Sequence, residues 1–550
     1  LPRFTDPDMG RFLLLLVVTA VAVTSGASSA ATSAQSGSSD TKTVAPAPST
    51  PTANILFIAP VGSKSHKNFY YGIIEVLAEE GHKVTVLTPY QPSRKLRNVR
   101  EIVLDSNDIT PKMPNSFKDG SLGAMMASAN ILPSMCVDAL ESHVFDQVLA
   151  ENYDIAFIST FFADCFMGHV HAMNIPFVFV HPAEMLGSFT GFRMGNPYFP
   201  SFDMNHILGY ENPKTFLQRV TSVMADAGIT GMYYYAMYTM DSGPRAAGLF
   251  PPNTPHISDM TAKSSLMIVN SFRLAEHPRP YMPNILLTGG LHLKPPKPLP
   301  TDLEQWVSSS GEAGFIFFSL GSAVRSSDLP EKTVQLLVSV FKSLPQKVLW
   351  KYDVEVAGGL PPNVRLTKWA PQQDLLGDPR MRLFITHGGL LSIQEATYHG
   401  VPVLGMPVFG DQEGNMRKAE REGWGKWIAW NELTFDLMKN RIEELIEDAR
   451  ARTRVAELGR LMRDRPTSPA ADIAWWTGYL LRTGGAPHLR SGAADLSWYR
   501  LYNTDVWLVL VCILLLLLWL QFIILRACFR CCCRSSMAGK KKNTKKVKKQ

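Results

Sequence analysis

The apolar residues fall in short dense runs separated by stretches of helical spacing. ANILFIAPVGSKSHKNFYYGIIEVLAEEGHKVTVLTP (54–89 with the preceding Ala) reads as strand, polar loop, helix, strand. ILFIA is a continuous apolar run of buried-strand length. Asn68 to Glu80 carries Phe69, Ile73 and Leu77 on one helical face, Gly81 stops it, and KVTVLT follows as a second strand. YDIAFISTFFADCFMGHVHAMNIPFVFV repeats the strand, loop, helix and strand. A proline-rich linker, LKPPKPLP (293–300), then interrupts the pattern. Beyond it GFIFFSLGSAV, KVLWKYD and NVRLTKW read as strands. FITH, Gly388 and Gly389, the helix LLSIQEATYH, Gly400 and VPVLGMPVF form another strand, turn, helix and strand. Leu437 to Met462 reads as one helix with charges on one side, and AADIAWWTGYLLRTGG as a further helix. Strands alternating with helices predict parallel sheets, here in two halves, 54–292 and 301–490.

The two ends are different in kind. Val506 to Leu525 holds no charge and is long enough to cross a bilayer. Arg526, Arg530, Arg534 and a run of lysines follow, so the positive-inside rule places the tail, 526–550, in the cytosol and the body in a lumen. LPRFTDPD precedes Met9 and reads as a leader ahead of the true start. Arg11, the apolar run Phe12 to Val23 and small residues Ser25 to Ala31 make a secretory signal peptide within 1–31. The Ser, Thr, Ala, Pro and Gly of 32–53 form a flexible linker. Lys548 and Lys546 stand third and fifth from the end, as in a dilysine retrieval signal of the endoplasmic reticulum, a spacing that a lysine-rich tail also produces by chance.

Charge and cysteine content narrow the picture. The formal net charge is +7, and seven lysines lie in GKKKNTKKVKKQ alone. The body is therefore near neutral, which argues against a nucleic-acid surface. Of seven cysteines only Cys136 and Cys165 lie in the lumenal body, either as one disulfide or as two buried thiols. Cys512 is in the span, and Cys528, Cys531, Cys532 and Cys533 sit just past it, where S-palmitoylation is chemically reasonable.

The stretch Trp369 to Asn415 carries the chemistry. A helix start offers unpaired N–H groups and a positive dipole end, which suit a phosphate. Gly388 and Gly389 let that backbone come close, and His387 adds a donor beside it. Glu395, inside the helix, can accept from sugar hydroxyls. Asp411 and Gln412 follow the next strand and so share its edge of the sheet. With the indole of Trp369, these groups describe a site for a nucleotide sugar.

WAPQ, THGG, Glu395, GVP, PVF and DQEGN stand in the order of the signature of the UDP-glycosyltransferases, which this stretch resembles; it is most similar to the invertebrate, membrane-bound members. The resemblance runs from Asn54 to the span and into the tail. It implies a GT-B fold of class α/β, two Rossmann-like domains facing a cleft, with a single C-terminal transmembrane helix. It further implies inverting transfer from a UDP-sugar to a small lipophilic acceptor, a detoxification chemistry, in a single-pass type I protein of the endoplasmic reticulum membrane. Trp369 would stack on uracil and Gln372 contact the nucleoside. His387, the backbone at Gly389 and the loop Ser319, Gly321, Ser322 would hold the diphosphate, with Ser392 as a further donor. Glu395 would take the ribose, and Asp411 and Gln412 the sugar.

The first half supplies the proton transfer. His66 follows the first strand, and an imidazole with a reference pKa of ~6.5 suits removal of an acceptor proton. The resemblance assigns it that role. The family places a carboxylate just after the strand that begins at Tyr153, where this chain has Ser159. Asp164 comes five residues later. Either it reaches His66 and orients it, or it is a carboxylate favoured at a helix start. The aromatic- and Met-rich segment 182–284 is either pocket lining or core. The lumenal body holds no D-x-D, so neither a metal nor a cofactor is expected beyond the UDP-sugar co-substrate. The GDQEGN context favours UDP-glucose, with UDP-glucuronate open. A non-catalytic, membrane-anchored lipophile-binding relative is the alternative that Ser159 supports. The sequence leaves the oligomeric state open.

Overall fold

The computed structural model describes residues 52–547, apart from 93, 105–107, 110–111, 114, 185–190, 192, 204–214, 274–277, 323 and 326–327. The leader and signal peptide, nearly all of the linker at 32–53, and Lys548 lie outside the described residues.

The first sheet has seven strands: β1 (Asn54–Ile58), β2 (Lys83–Thr88), β3 (Val99–Val103), β4 (Ile155–Ser159), β5 (Phe177–His181), β6 (Leu266–Val269) and β7 (Ile285–Leu287). Their order is β3-β2-β1-β4-β5-β6-β7 and every pairing is parallel. The continuous apolar runs are explained by burial on both faces. Leu56 and Ile58 pack into one core layer, Ile55 and Phe57 into the other. The second sheet contains β8 (Phe315–Ser319), β9 (Lys347–Lys351), β10 (Val364–Thr367), β11 (Met381–Thr386), β12 (Val403–Gly405) and β13 (Gly425–Trp427). Its order is β10-β9-β8-β11-β12-β13, again all parallel. In each sheet the order reverses beside the first strand of that half, between β1 and β4 and between β8 and β11. Those two switch points are where a doubly wound sheet opens a crevice.

The helices that matter for the site are α1 (Lys64–Glu79), α2 (Ser116–Glu141), α3 (Phe216–Ala246), α4 (Gln372–Leu376), α5 (Leu390–His399) and α6 (Gln412–Arg421). Helix α1 begins four residues earlier than its apolar spacing implies. Ser63 caps it by accepting from His66 N–H at 3.4 Å, so His66 lies in the first helical turn rather than in a loop. The stretch expected as one helix from Leu437 to Met462 is two, α7 (Phe435–Glu447) and α8 (Ala449–Arg463). Asp448 divides them, ending α7 in an extended conformation and capping α8 with bonds from Arg450 N–H at 2.8 Å and Ala451 N–H at 3.1 Å. Periodicity survives such a break, so spacing alone does not reveal it.

The linker at 293–300 is pinned: Lys294 N–H donates to Gln373 Oε1 and Lys297 N–H to Asp374 Oδ1, each at 2.8 Å. Helix α9 (Pro469–Arg482), which the sequence boundary puts in the second half, packs on α1 through Ile473 and Leu480, in the same core layer as Ile55 and Phe57. Cys136 and Cys165 form a disulfide across 29 residues, joining α2 to the segment after β4. Closing a loop of that length stabilises a fold by ~3–4 kcal/mol. The aromatic segment is only partly core. Tyr233, Met237 and Met240 of α3 are buried, while the opposite face of the helix is not. Helix α10 (Thr504–Val547) carries one stretch, Thr504–Cys531, long and apolar enough to cross a membrane and unburied by the rest of the protein.

Candidate active site

The donor side is built at the β8/β11 switch point. Thr386 ends β11, and His387, Gly388 and Gly389 turn the chain into α5. Gly388 has φ +84°, a conformation that a side chain resists. Gly321, after β8, has φ +74°, and a methyl group there would fall 2.5 Å from His387 Cε1. A methyl on Gly389 would fall 2.6 Å from Nε2 of the same ring. The imidazole is thus held between two glycines, one from each strand of the switch point. Burial, helped by the charge of Lys351, pushes His387 down to about 4, so it is a neutral donor at physiological pH.

Lys351, at the end of β9, reaches in and donates to Gly321 O at 2.9 Å. The charge of Lys64, from the start of α1 in the other half, bears on it across the cleft. A helix start, a neutral imidazole and Lys351 therefore converge near one turn, the chemistry of a diphosphate site. Ser319 is fully buried, and its Oγ accepts from Gly321 N–H at 3.2 Å, so it also shapes the turn. Ser322 is half-buried in that turn.

Trp369 is 69% exposed, an indole face available for stacking. Gln372 Nε2 donates to Glu395 Oε2 at 2.6 Å and to Ser392 Oγ at 3.2 Å, which brings the two groups expected at the nucleoside and the further donor expected at the diphosphate into one cluster. Gln373, which the sequence reading passed over, bridges Glu395 Oε1 at 3.4 Å and His292 O at 2.9 Å. His292 Nε2 stands 3.9 Å from Glu395 Oε1. Burial raises the Glu395 carboxyl to about 7, only partly offset by Gln372. The repeated Gln in WAPQQ was the one available signal for Gln373.

Asp411 and Gln412 open α6. Gln412 Oε1 accepts from Val408 N–H at 2.8 Å and Phe409 N–H at 3.0 Å, tying down the loop after β12. Asn415 donates to Asp411 Oδ2 at 2.9 Å and to Gly388 O at 3.0 Å, linking the expected sugar-binding carboxylate to the phosphate turn. Burial, with Glu184 nearby, raises the Asp411 carboxyl. Glu184 belongs to the first half and pairs with Lys418 of α6 at 3.4 Å, so the cleft is bridged at this edge.

On the acceptor side His66 sits at the β1/β4 switch point, with the edge of its ring against Phe161, centroids 4.6 Å apart. Burial lowers it to about 4. Its Nδ1 has no hydrogen-bond partner among the described residues. Asp164, expected either to orient His66 or to sit as a carboxylate favoured at a helix start, has a different main contact. Arg193 grips both Asp164 oxygens, at 2.6 and 3.0 Å, with both side chains buried. The unpartnered Nδ1 of His66 makes no hydrogen bond with it. Ser159 meets the Tyr70 hydroxyl at 2.7 Å and accepts from Phe161 N–H at 3.0 Å, a neutral pair where the family has a carboxylate. Neither Arg193 nor Tyr70 had any signal in the linear pattern.

Comparison with known proteins agrees with this architecture. Residues 54–543 match the family described as UDP-glucoronosyl and UDP-glucosyl transferase. UDP-glycosyltransferase UGT5 of Dactylopius coccus is 31% identical over 90% of this chain and 96% of its own length. Human UDP-glucuronosyltransferase 2B10 is 31% identical over 76% of this chain and 78% of its own. Among solved structures, a UDP-glucose: anthocyanidin 3-O-glucosyltransferase in complex with UDP aligns over 79% of this chain and 100% of its own, with TM-score 0.53 at 13% identity. A Polygonum tinctorium UDP-glucosyltransferase aligns over 78% and 99%, also with TM-score 0.53, at 15% identity. At such identities the structures speak for the GT-B fold alone. The family match runs from the first residue of β1 through the apolar stretch of α10, and each half is a doubly wound parallel sheet as that fold requires, so the chain belongs to the UDP-glycosyltransferase family and is an enzyme of glycosyl transfer from UDP-sugars.

Proposed function

We propose inverting, metal-independent transfer of a hexose, glucose before other sugars, to a hydroxyl of a small lipophilic acceptor, with His66 as general base. The observation that carries the reading is the placement of His66. It is a neutral imidazole in the first turn of α1, two residues from Lys64, whose charge is felt at Lys351 beside the phosphate turn. The acceptor O–H proton passes to the imidazole as the oxygen attacks the anomeric carbon. The bond from that carbon to the diphosphate oxygen breaks on the opposite face, and its electron pair leaves with UDP, which inverts the centre. His387, the α5 N-terminus and Lys351 stabilise the departing charge without a metal. Glu395 takes the ribose hydroxyls, Trp369 the uracil, and Asp411 with Gln412 the sugar hydroxyls.

Glucose is favoured over glucuronate by the GDQEGN context of Asp411 and Gln412. UDP-glucuronate remains the second reading, because mammalian glucuronosyltransferases match at the same identity as the insect relatives. The protein is anchored by α10 as a type I protein of the endoplasmic reticulum, with the body in the lumen. The Cys136–Cys165 disulfide fits an oxidising compartment. Membrane fractions containing the full chain, assayed with a panel of UDP-sugars and one simple phenol, test the reading. Transfer of glucose with inversion supports it. Transfer of glucuronate alone replaces the donor, and transfer undiminished in His66→Ala removes the base.

A further inference from the structure

One buried titratable group beside the donor site has no part in the chemistry described so far. His292 closes the first half, and its side chain is 4% exposed. Both ring nitrogens are buried, and neither has a hydrogen-bond partner among the described residues. Nε2 lies 3.9 Å from Glu395 Oε1, ~1 Å beyond hydrogen-bond length. A buried polar group left in this state costs stability. Burial lowers the ring to about 4, opposed by the Leu391 carbonyl and helped by the charge of Lys294. At pH 7 it is therefore neutral and carries one N–H.

The surroundings of His292 place it at a joint. Gln373 Nε2 donates to His292 O at 2.9 Å and to Glu395 Oε1 at 3.4 Å, while its Oε1 accepts from Lys294 N–H at 2.8 Å. One amide thus holds the main chain on both sides of Leu293 and reaches the carboxylate as well. On its other side His292 follows Leu291, which lies against α1. A methyl on Gly72 would fall 2.7 Å from Leu291 Cβ. Gly72 stands within two turns of His66 on that helix. Gln394, the neighbour of Glu395, donates to Asn270 O at 3.2 Å in a buried contact with the first half, just past β6. A continuous packed path therefore runs from the helix of His66, through Leu291 and His292, to Glu395.

We propose that His292 is a positioning residue of the donor site, its Nε2–H donating to Glu395 Oε1 once the ribose is seated, so that nucleotide binding is coupled to the joint between the two halves. The proposal rests on the reading that Glu395 takes the ribose hydroxyls. Those hydroxyls favour the ionised carboxylate. An ionised carboxylate is a stronger acceptor than a main-chain carbonyl, so it selects the Nε2–H tautomer over one directed at Leu391 O. With Gln372 on Oε2 and His292 on Oε1, the carboxylate is held at both oxygens and its rotation is fixed. The shift of ~1 Å that makes the bond moves the main chain of Leu291 with the ring, and Leu291 bears on α1.

The test measures UDP dissociation constants by calorimetry on the detergent-solubilised full chain, beside urea unfolding of each variant. His292→Leu fills the site without a donor and should weaken UDP about tenfold at an unchanged unfolding midpoint. His292→Gln sets an amide N–H near the place of Nε2 and should bind within about twofold of the wild type. His292→Asn reaches only the place of Nδ1 and should be as weak as His292→Leu. In a Glu395→Ala chain, His292→Leu should make no further difference. The Gln and Asn variants carry the comparison where the leucine variant does not fold, and equal binding by those two overturns the role of Nε2. Full affinity in His292→Leu, or a loss that persists in Glu395→Ala, also overturns it. A Glu395→Ala chain that binds UDP like the wild type removes the ribose reading and the proposal with it. A loss in Glu395→Ala with none in the His292 variants removes the positioning role alone.

Discussion

Arg193 closes a two-point grip on Asp164 in the interior of the first half, 2.6 and 3.0 Å from its two oxygens, with both side chains 1% exposed. The guanidinium also lies 5.0 Å from the Phe179 ring and 5.3 Å from the Tyr233 ring, which ties β5 and α3 to the segment after β4. Breaking one side of a buried pair leaves a charge without compensation, at a cost of ~3–5 kcal/mol. Asp164→Asn is therefore expected to lower unfolding stability by about that amount. Urea titration of the variant checks this. A stable variant with slow transfer at unchanged stability would return Asp164 to catalysis.

His66 Nδ1 has no hydrogen-bond partner among the described residues, and burial holds the ring at about 4. The sign follows directly. An unperturbed imidazole would gain its proton, and cease to act as a base, as pH fell through ~6.5. Here the loss comes only as pH falls through about 4, so kcat at saturating UDP-sugar should stay level from pH 7 to 5. His292 and His387 are also lowered to about 4 by burial. The unfolded chain takes up those protons near ~6.5, so stability declines as pH falls from there toward 4. Brief assays followed by return to pH 7 separate reversible protonation from unfolding. His66→Ala should lose ~100- to 10,000-fold in transfer while UDP still binds. An acid limb near 6.5 would show an ionised partner that raises the base.

The legible parts of this protein were those that a local pattern encodes. Buried parallel strands read as apolar runs because both their faces are covered, and the donor turn read from Gly388 and Gly389 because only glycine tolerates that approach to His387. Asp164 misled because its partner, Arg193, is 29 residues away, and no periodicity couples the two. The same distance hid the choice between thiols and a disulfide at Cys136 and Cys165. Ser319 stood at the right end of the right strand, and that its Oγ also accepts from Gly321 N–H is a matter of rotamer and burial. The lipophilic character of α3 was visible, but which side of the helix is covered depends on the tertiary packing of α2 against it.

If Glu395 takes the ribose as proposed, it couples donor binding to proton release. With its carboxyl raised to about 7 by burial, it is mostly protonated in the free enzyme at pH 6.5. The folded value exceeds the unfolded one, so the stability it contributes is present at low pH and is lost as pH rises through about 7. Ribose hydroxyls donating to the carboxylate favour the ionised form and drive the proton off. Calorimetric titration of UDP at pH 6.5, in buffers of different ionisation enthalpy, should show release of up to about one proton. Glu395→Gln should bind UDP more weakly with no such release. Binding by the wild type without proton exchange would mean that Glu395 is already ionised or stands clear of the ribose.

The glycines around His387 give the sharpest steric prediction. Gly321→Ala places a methyl 2.5 Å from Cε1 of a ring that Gly389 crowds from another side, and it does so at φ +74°, which itself costs ~1–2 kcal/mol for a residue with a side chain. The ring must move away from the phosphate position, so UDP affinity should fall at least ~10-fold, a loss of about 1.4 kcal/mol. His387→Ala alone should weaken UDP by a similar factor through the missing donor. In the double variant the methyl of Gly321→Ala has no ring to strike, so the two losses should not add. Measuring UDP dissociation constants for the four proteins of this cycle checks the argument. Strict additivity would show that the loop after β8 acts on the diphosphate independently of His387.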